Sequence, residues 1–334
     1  MHDTSLYLII VVVVLALLFD YINGFHDTAN AIATSISTKA MSPKAAIMLA
    51  AVMNLLGALS FTGVAKTIGK GIADPSTLSN GMWIVAAAMI SAIIWNLITW
   101  WYGIPSSSSH ALIGSLTGAV IASAGFSQIN YTGFIAILKS LVLSPIISLA
   151  LGFIIMLAFL WLFRNFAPAK MTRNFRFFQI LSAAFQAYLH GTNDAQKAMG
   201  IITFALVAGG FQSTMDVPLW VKIAAAAAMA LGTASGGMRI IRTVGRGIMK
   251  MQPVNGFAAD VTSSIVIGTA TFLKLPVSTT HVISSAIMGV GAAKGFNKVK
   301  WDVAGKIVTT WIITLPITAV LSALIYWLLG VFFF

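Results

Sequence analysis

Apolar segments long enough to cross a lipid bilayer fill most of this chain, and they constrain its fold more than any other feature of the sequence. A membrane-spanning helix needs about 20 mostly apolar residues, because the hydrocarbon layer is about 30 Å thick. Charged residues make up only 8% of the chain, whereas soluble domains carry about 25%. We therefore predict an all-α polytopic membrane protein whose solvent is the lipid bilayer. Its ten candidate segments are 5–38, 45–65, 82–102, 105–125, 131–163, 177–208, 217–236, 254–275, 276–293 and 301–333.

Basic residues are distributed unevenly among the loops between these segments. If all ten segments cross and the N-terminus is outside, thirteen loop Lys and Arg residues fall inside and three fall outside. This bias follows the positive-inside rule and accounts for the net charge of +12, so that charge gives no reason to expect a nucleic-acid partner. We predict a multi-pass protein of the plasma (inner) membrane with both termini outside. The chain has no Cys, which excludes disulfides, thiolate metal ligands and a cysteine nucleophile.

The two halves of the chain contain matching motifs in the same order, separated by between 167 (194 − 27) and 176 (242 − 66) residues. Each half holds five apolar segments, an odd number, so the second half is predicted to insert upside down relative to the first. Inverted repeats with interrupted helices are typical of secondary transporters, whose binding sites lie near the interruptions. We predict two such repeats of about five segments each, covering 1–163 and 177–334, joined by a basic cytoplasmic linker at 164–176. The matching pairs are Asp27 and Asp194, 66–72 and 242–248, 105–110 and 276–281, and Pro145 and Pro316. The two prolines of the last pair predict interruptions as well.

Two Asp residues lie inside apolar segments, at places where a glycine predicts a break in the helix. Asp27 follows Gly24, and Asp194 follows Gly191. Ionisable groups in a membrane span are costly and usually functional. Carboxylate and amide oxygens suit a small, hard cation such as sodium, whereas the alternative is that each Asp only caps a half-helix. Because the acids form a symmetric pair, ion binding is favoured. The predicted sodium ligands are Asp27, Asn30, Asn193 and Asp194.

Two short segments begin with Pro followed by Ser or Thr, PSSSSH at 105–110 and PVSTTH at 276–281. Pro suits the first turn of a helix, and hydroxyl groups beside the unpaired NH groups of a helix start form an anion site. Two such starts facing each other predict a site for a small oxyanion. The alternative is capping combined with hydroxyl packing between helices. Each segment either crosses the membrane or re-enters it as a hairpin. The predicted anion ligands are Ser107, Ser108, Ser278 and Thr279, together with Thr28 and Asn193 from the two Asp-bearing segments.

Three further polar residues in the apolar segments each have two interpretations. His110 and His281 are either proton carriers or packed neutral imidazoles, and packing is favoured. Lys197 stands where the first motif has Asn30. It is either a substrate contact or a counter-ion for Asp194.

The motifs GFHDTANAIAT (24–34) and GTNDAQKAMGI (191–201), with PSSSSH and PVSTTH, resemble those of the inorganic phosphate transporter (Pit) family of sodium- or proton-coupled phosphate symporters. The resemblance covers essentially the whole chain. It implies phosphate as the substrate, sodium or protons as coupling ions, an inverted-repeat transport unit, both termini outside and a homodimer. Members of the family usually have Asn before the first signature Asp, whereas this chain has His26, which keeps proton coupling open. The family is also similar to sulfate carriers.

The leading functional hypothesis is symport of inorganic phosphate coupled to a cation, with sodium favoured. The alternatives are a proton-coupled phosphate or sulfate permease and, less favoured, an anion channel, since Ser-rich half-helices also line pores. A Ser/His hydrolase is the least favoured hypothesis, because no acid accompanies the Ser and His of either motif in the sequence. We therefore predict that the chain is not an enzyme and that it needs no cofactor besides its coupling ions.

Overall fold

The computed structural model describes residues 2–333, which form twelve α-helices and four short 3₁₀ or π turns, with no β-strand in this range. The helices follow the predicted segments closely, which confirms the all-α membrane fold. The outer limits of the two predicted repeats, at residues 1 and 334, lie outside the described range. The helices are α1 (His2–Ser37), α2 (Pro43–Ala58), α3 (Gly63–Gly71), α4 (Gly81–Trp101), α5 (Ser108–Ala124), α6 (Tyr131–Leu162), α7 (Pro168–Ala208), α8 (Leu219–Ser235), α9 (Met238–Arg242), α10 (Pro253–Phe272), α11 (Thr279–Lys294) and α12 (Trp301–Phe333).

Four of these helices, α1, α4, α6 and α12, are each long and apolar enough to cross a membrane. Two bent pairs raise the number to six if each counts as one span: α2 with the segment from α3 to Thr77, bent by 74°, and α8 with the segment from α9 to Gly247, bent by 61°. The remaining predicted segments form helices that do not meet this criterion alone. For example, α5 and α11 have 17 and 16 residues.

The predicted breaks at the two Asp motifs are wrong, because α1 and α7 continue through them without interruption. The glycines serve close packing instead of bending. A methyl group on Gly24 would lie 2.4 Å from the Met229 carbonyl oxygen of α8, and one on Gly191 would lie 2.3 Å from the Asn54 carbonyl oxygen of α2. Only a residue without a side chain therefore lets these helix pairs approach.

The predicted interruptions at Pro145 and Pro316 are also wrong, since both prolines lie inside the continuous helices α6 and α12. Proline is tolerated in membrane helices where neighbouring groups or small local adjustments satisfy the freed backbone carbonyl. These helices are among the most apolar of the chain. Each has more than 30 residues and remains helical on both sides of its proline.

Helices from the two halves pack against each other in a crosswise manner. Helix α5 packs against α12 of the other half and α4 of its own half, and α11 packs against α6 of the other half and α10 of its own half. In the same way, α1 packs against α8, and α7 packs against α2. The buried centre of the molecule therefore consists of 26–35 of α1 and 190–206 of α7, together with 108–120 of α5 and 279–291 of α11.

Helices α5 and α11 begin in the buried middle of the molecule. Their N-caps are Ser107 and Ser278, whose hydroxyl oxygens accept from the backbone NH of His110 at 3.1 Å and of His281 at 3.3 Å. Because these two serines are the caps, the prolines of the two motifs lie three residues before the first helical residue. The expectation that the prolines occupy the first helical turn is therefore wrong.

Candidate functional site

Two buried carboxylates form the centre of the site. Asp27 on α1 and Asp194 on α7 are 2% and 0% exposed, and a ligand atom from each lies within 4.8 Å of the other and of a nitrogen of His190. The two helices pack side by side because both carry small residues around these positions. The structure thus brings together the two acids that the sequence singles out in separate halves.

Asp27 is surrounded by groups that can donate hydrogen bonds to it. The Ser108 hydroxyl on α5 donates to Oδ2 at 2.9 Å, and the Thr280 hydroxyl on α11 donates to Oδ1 at 3.4 Å. Nδ1 of His26 lies 2.7 Å from Oδ1, while its Nε2 lies 3.0 Å from the hydroxyl of Thr99 on α4. The first carboxylate therefore contacts the first turn of both central half-helices.

Asp194 has a different set of neighbours, which includes a lysine. The Lys197 ammonium lies 2.8 Å from Oδ1, and the same ammonium donates to the Ser108 hydroxyl at 3.5 Å. Oδ2 accepts at 3.4 Å from the Asn23 amide and the Thr279 hydroxyl, and it lies 3.4 Å from Nε2 of His190. The second carboxylate is thus paired with a fixed positive charge.

At the start of α5 and at the start of α11, two neighbouring hydroxyl residues have different roles. Ser107 and Ser278 cap the backbone, while the next residues, Ser108 and Thr279, direct their hydroxyls at the two acids. The dipole of each helix places partial positive charge at the same point. The predicted anion-binding elements and the predicted cation-binding acids therefore form one cluster in this conformation.

Asn30 belongs to this cluster. Its amide nitrogen donates to the hydroxyls of Thr279 at 3.1 Å and Thr280 at 2.9 Å. Its buried Oδ1 has no hydrogen-bond partner among the described residues. A carbonyl oxygen of this kind is available to a cation.

Two of the predicted ligands use their side chains elsewhere. The Thr28 hydroxyl donates to the Gly24 carbonyl of its own helix at 2.5 Å. The Asn193 amide donates to the hydroxyl of Thr271 at 3.0 Å and to the carbonyl of Leu275 at 3.3 Å. Asn193 therefore ties α7 to the segment that leads into α11.

Several buried polar residues near the site are absent from the sequence-based set. His190, Asn23 and Thr280 contact the two acids. Thr280 belongs to PVSTTH, whereas His190 and Asn23 each lie one residue before an Asp-bearing motif. Asp20, seven residues before Asp27 on α1, is fully buried, and both its carboxylate oxygens lack a hydrogen-bond partner within residues 2–333. The signal that could have found Asp20 is its position as an acid in an apolar run.

The same signal applies to Asp260 on α10. Its carboxylate is fully buried and accepts from the hydroxyls of Thr34 at 2.7 Å and Ser182 at 2.9 Å. These three residues lie on α10, α1 and α7, so the two hydrogen bonds of Asp260 link the three helices.

His110 and His281 lie together one turn into their helices. Their ring centroids are 4.5 Å apart, and the His281 ring stacks on Trp311 with centroids 3.9 Å apart. Nδ1 of His110 lies 2.9 Å from the Ser107 hydroxyl. These contacts agree with the favoured interpretation of packed imidazoles.

Comparison with known proteins gives consistent matches. The family model described as the phosphate transporter family matches residues 23–322. A relative from Bacillus subtilis (strain 168), named a probable low-affinity inorganic phosphate transporter, is 58% identical over 332 residues, covering 99% of this chain and all of the relative. A relative from Rhizobium meliloti (strain 1021) with the same name is 45% identical and covers 96% of both chains.

One solved structure has the same fold. It is described as the sodium-dependent phosphate transporter, and it superposes on 98% of this chain and on all of its own with a TM-score of 0.90. The sequences of the two chains are 24% identical. The two chains therefore share one fold over nearly their whole length.

Proposed function

The chain belongs to the phosphate transporter family, and from this premise we propose that it moves inorganic phosphate across the membrane in symport with a cation, sodium in the first place. It is a multi-pass integral membrane protein of a transporter family, not an enzyme. The coupling to a cation, the plasma membrane as its location, the outside position of both termini and the homodimer are parts of the proposal.

The observation that carries the proposal is the contact between two acids and two helix starts in one buried cluster. Ser108 donates its hydroxyl to Asp27, and Thr279 donates its hydroxyl to Asp194. Helix N-termini and hydroxyl groups favour a phosphate, whereas carboxylates favour a cation. The cluster therefore offers ligands for both ions within hydrogen-bond distance of each other.

This contact suggests how the two ions are coupled. Without a cation, the carboxylates occupy the hydroxyl donors that a phosphate would need. A cation bound at Asp27 would balance the negative charge of the carboxylate. The Ser108 hydroxyl could then donate its hydrogen bond to the phosphate instead. A hydrogen bond to a charged group is worth about 1.5–3 kcal/mol, and binding coupling is reciprocal. Each ion therefore raises the affinity of the site for the other.

The ligand assignments follow from this scheme. We place the phosphate at the starts of α5 and α11, with Ser107, Ser108, Ser278 and Thr279 as the sequence predicts. The cation is placed at Asp27, with Asn30 offering its unpartnered Oδ1. Thr28 and Asn193, which bond elsewhere in this conformation, would join the phosphate after a local rearrangement.

Proton coupling is the second candidate, and His26 is the observation that favours it. Its Nδ1 lies 2.7 Å from Asp27, in a position where a proton can be held between an imidazole and a carboxylate. Sodium is placed first because the solved structure with the same fold is described as that of a sodium-dependent phosphate transporter.

The proposal is tested by uptake of radiolabelled phosphate into proteoliposomes under an imposed sodium or proton gradient. We expect accumulation driven by sodium, with arsenate competing better than sulfate. Asp27→Asn is expected to abolish it, because an amide cannot balance the charge of a bound cation. Asp194→Asn is expected to abolish it as well, because it removes the carboxylate that pairs with the buried Lys197 ammonium. The matched control is Asp302→Asn, at an exposed acid in the first turn of α12. Passive equilibration without any cation dependence would refute symport and favour a channel.

A further inference from the structure

We propose that the Lys197 ammonium is a built-in cation that replaces one coupling ion at Asp194. The chain would then bind one cation fewer than two equivalent aspartate sites would bind. This inference deepens the proposed function, on which it rests, because it concerns the ion inventory of the same site.

The two aspartate motifs differ by one charge at corresponding positions. Lys197 follows Asn30 by 167 residues (197 − 30), the same separation as between Asp27 and Asp194 (194 − 27). An asparagine in this place offers an amide oxygen to a cation, whereas a lysine brings the positive charge itself. The first motif can therefore bind a cation from solution, whereas the second motif already contains a positive charge.

The geometry places the ammonium where a cation bound by Asp194 would lie. Nζ of Lys197 is 2.8 Å from Oδ1 of Asp194, and both side chains are buried. The residues are three apart on the uninterrupted helix α7, so the helix itself holds them together. A metal ion at Oδ1 would have to displace the ammonium.

The burial of this lysine shows that its charge belongs to the site. Lys197 is the only Lys or Arg within the described part of the chain that is buried. A buried ammonium is costly unless it is paired with an opposite charge. Asp194 lies in contact with it, and Asp20 and Asp27 lie within electrostatic range.

The corresponding place beside Asp27 contains no such charge. Asn30 directs its amide nitrogen to the hydroxyls of α11 and leaves Oδ1 without a partner in residues 2–333. The only basic group in contact with Asp27 among the described residues is His26, which is charged only when it is protonated. The structure thus assigns the exchangeable cation to Asp27 and the resident one to Asp194.

The alternative role of Lys197 is direct contact with the phosphate. Its ammonium reaches the Ser108 hydroxyl at 3.5 Å, close to the start of α5. A lysine that served only the phosphate would change phosphate binding when replaced but would leave the number of bound cations the same. Counting bound cations in the absence of phosphate separates the two roles.

The experiment measures equilibrium binding of radioactive sodium to the purified, full-length protein without phosphate. Lys197→Asn, which copies the first motif, is expected to bind one sodium ion more per chain than the wild type, and Lys197→Arg is expected to bind the same number. Lys222→Asn on α8 is the matched control and should also leave the number unchanged. Equal numbers for Lys197→Asn and the wild type would overturn the proposal.

A second pair of variants tests the same proposal if Lys197→Asn does not fold. Asp27→Asn is expected to lose one bound sodium ion, whereas Asp194→Asn should lose none because Lys197 already fills that place. A loss of one ion in both variants would overturn the inference. Failure of sodium-driven uptake by the wild type would instead refute the proposed function, and a gain of one ion in Lys197→Asn would still support the role of the lysine.

Discussion

Replacing Gly191 by alanine tests whether this glycine allows α7 to approach α2, instead of allowing α7 to bend. The new methyl carbon would lie 2.3 Å from the carbonyl oxygen and 2.7 Å from the Cα atom of Asn54. Ordinary contact begins at 3.4 Å, so the two backbones would have to separate by about 1.1 Å at this point. Both atoms belong to the main chain of α2, and no side-chain rotation can relieve the overlap.

The expected cost combines two opposing contributions. Overpacking of this kind destabilises a protein by about 1–3 kcal/mol, whereas alanine in a helix interior gains about 0.8–1 kcal/mol over glycine. The separation would also lengthen the contact between Nδ1 of His190 and Oδ1 of Asn54, now 3.0 Å. We expect a net loss of up to about 2 kcal/mol, together with weaker phosphate uptake because Asp194 is displaced with its helix.

Thermal unfolding of the purified protein in detergent measures the stability, and proteoliposome uptake measures transport. The matched control is Gly305→Ala on α12, where a new methyl carbon would have no atom within 4 Å. This control should be as stable as the wild type or slightly more stable. If Gly191→Ala behaved like the control, close packing would not explain the glycine, and the idea of a flexible break in α7 would return.

Three further predictions concern binding, topology and pH. Ser108→Ala removes a hydrogen-bond donor from the centre of the site and should weaken phosphate affinity roughly ten- to a hundred-fold. The control Ser322→Ala removes a buried hydroxyl that has no partner among the described residues and should change phosphate affinity little. Equal effects of the two variants would mean that the anion binds elsewhere. Single cysteines at Ser79 and Asn174 in this cysteine-free chain should react with an impermeant reagent from opposite sides of the membrane, and labelling from one side would contradict the predicted orientation of the repeats. The Lys66 ammonium, 2.5 Å away, holds the pKa of the exposed Asp216 below its usual value near 4. This ion pair therefore stabilises the fold above that pH, and the stabilisation is lost as the pH falls through the lower pKa of the folded state. The melting temperature of Asp216→Asn should match that of the wild type in acid and lie slightly below it at neutral pH.

Helix positions were largely predictable, because the bilayer imposes a length and an apolar composition on any segment that crosses it. The segments predicted at 131–163 and 301–333 correspond to α6 and α12 almost residue for residue. Polar helices were less predictable for the same reason. The first nine residues of α7 and the short helix α3 are rich in polar or basic residues, and hydropathy gives no signal for them.

The continuity of α1 and α7 could not be predicted from the motifs. Gly24 and Gly191 are compatible both with a bend and with close helix packing. The choice depends on carbonyl oxygens of Met229 and Asn54, which lie about 200 and 140 residues away in the chain. A local sequence pattern contains no information about such a distant backbone.

The sequence by itself singled out the residues that we propose bind the ions: two intramembrane acids, two hydroxyl-rich helix starts and a lysine in place of an asparagine. It could do so because charge and hydroxyl groups are costly in lipid and are therefore conspicuous in an apolar chain. Only the tertiary structure decided how these groups meet. Helices of the same half bring Ser108 to Asp27 and Thr279 to Asp194, and helices of opposite halves bring Thr280 to Asp27 and Lys197 to Ser108. These contacts join residues far apart in sequence, and they depend on the packing of whole helices, which sets the distance and direction between side chains.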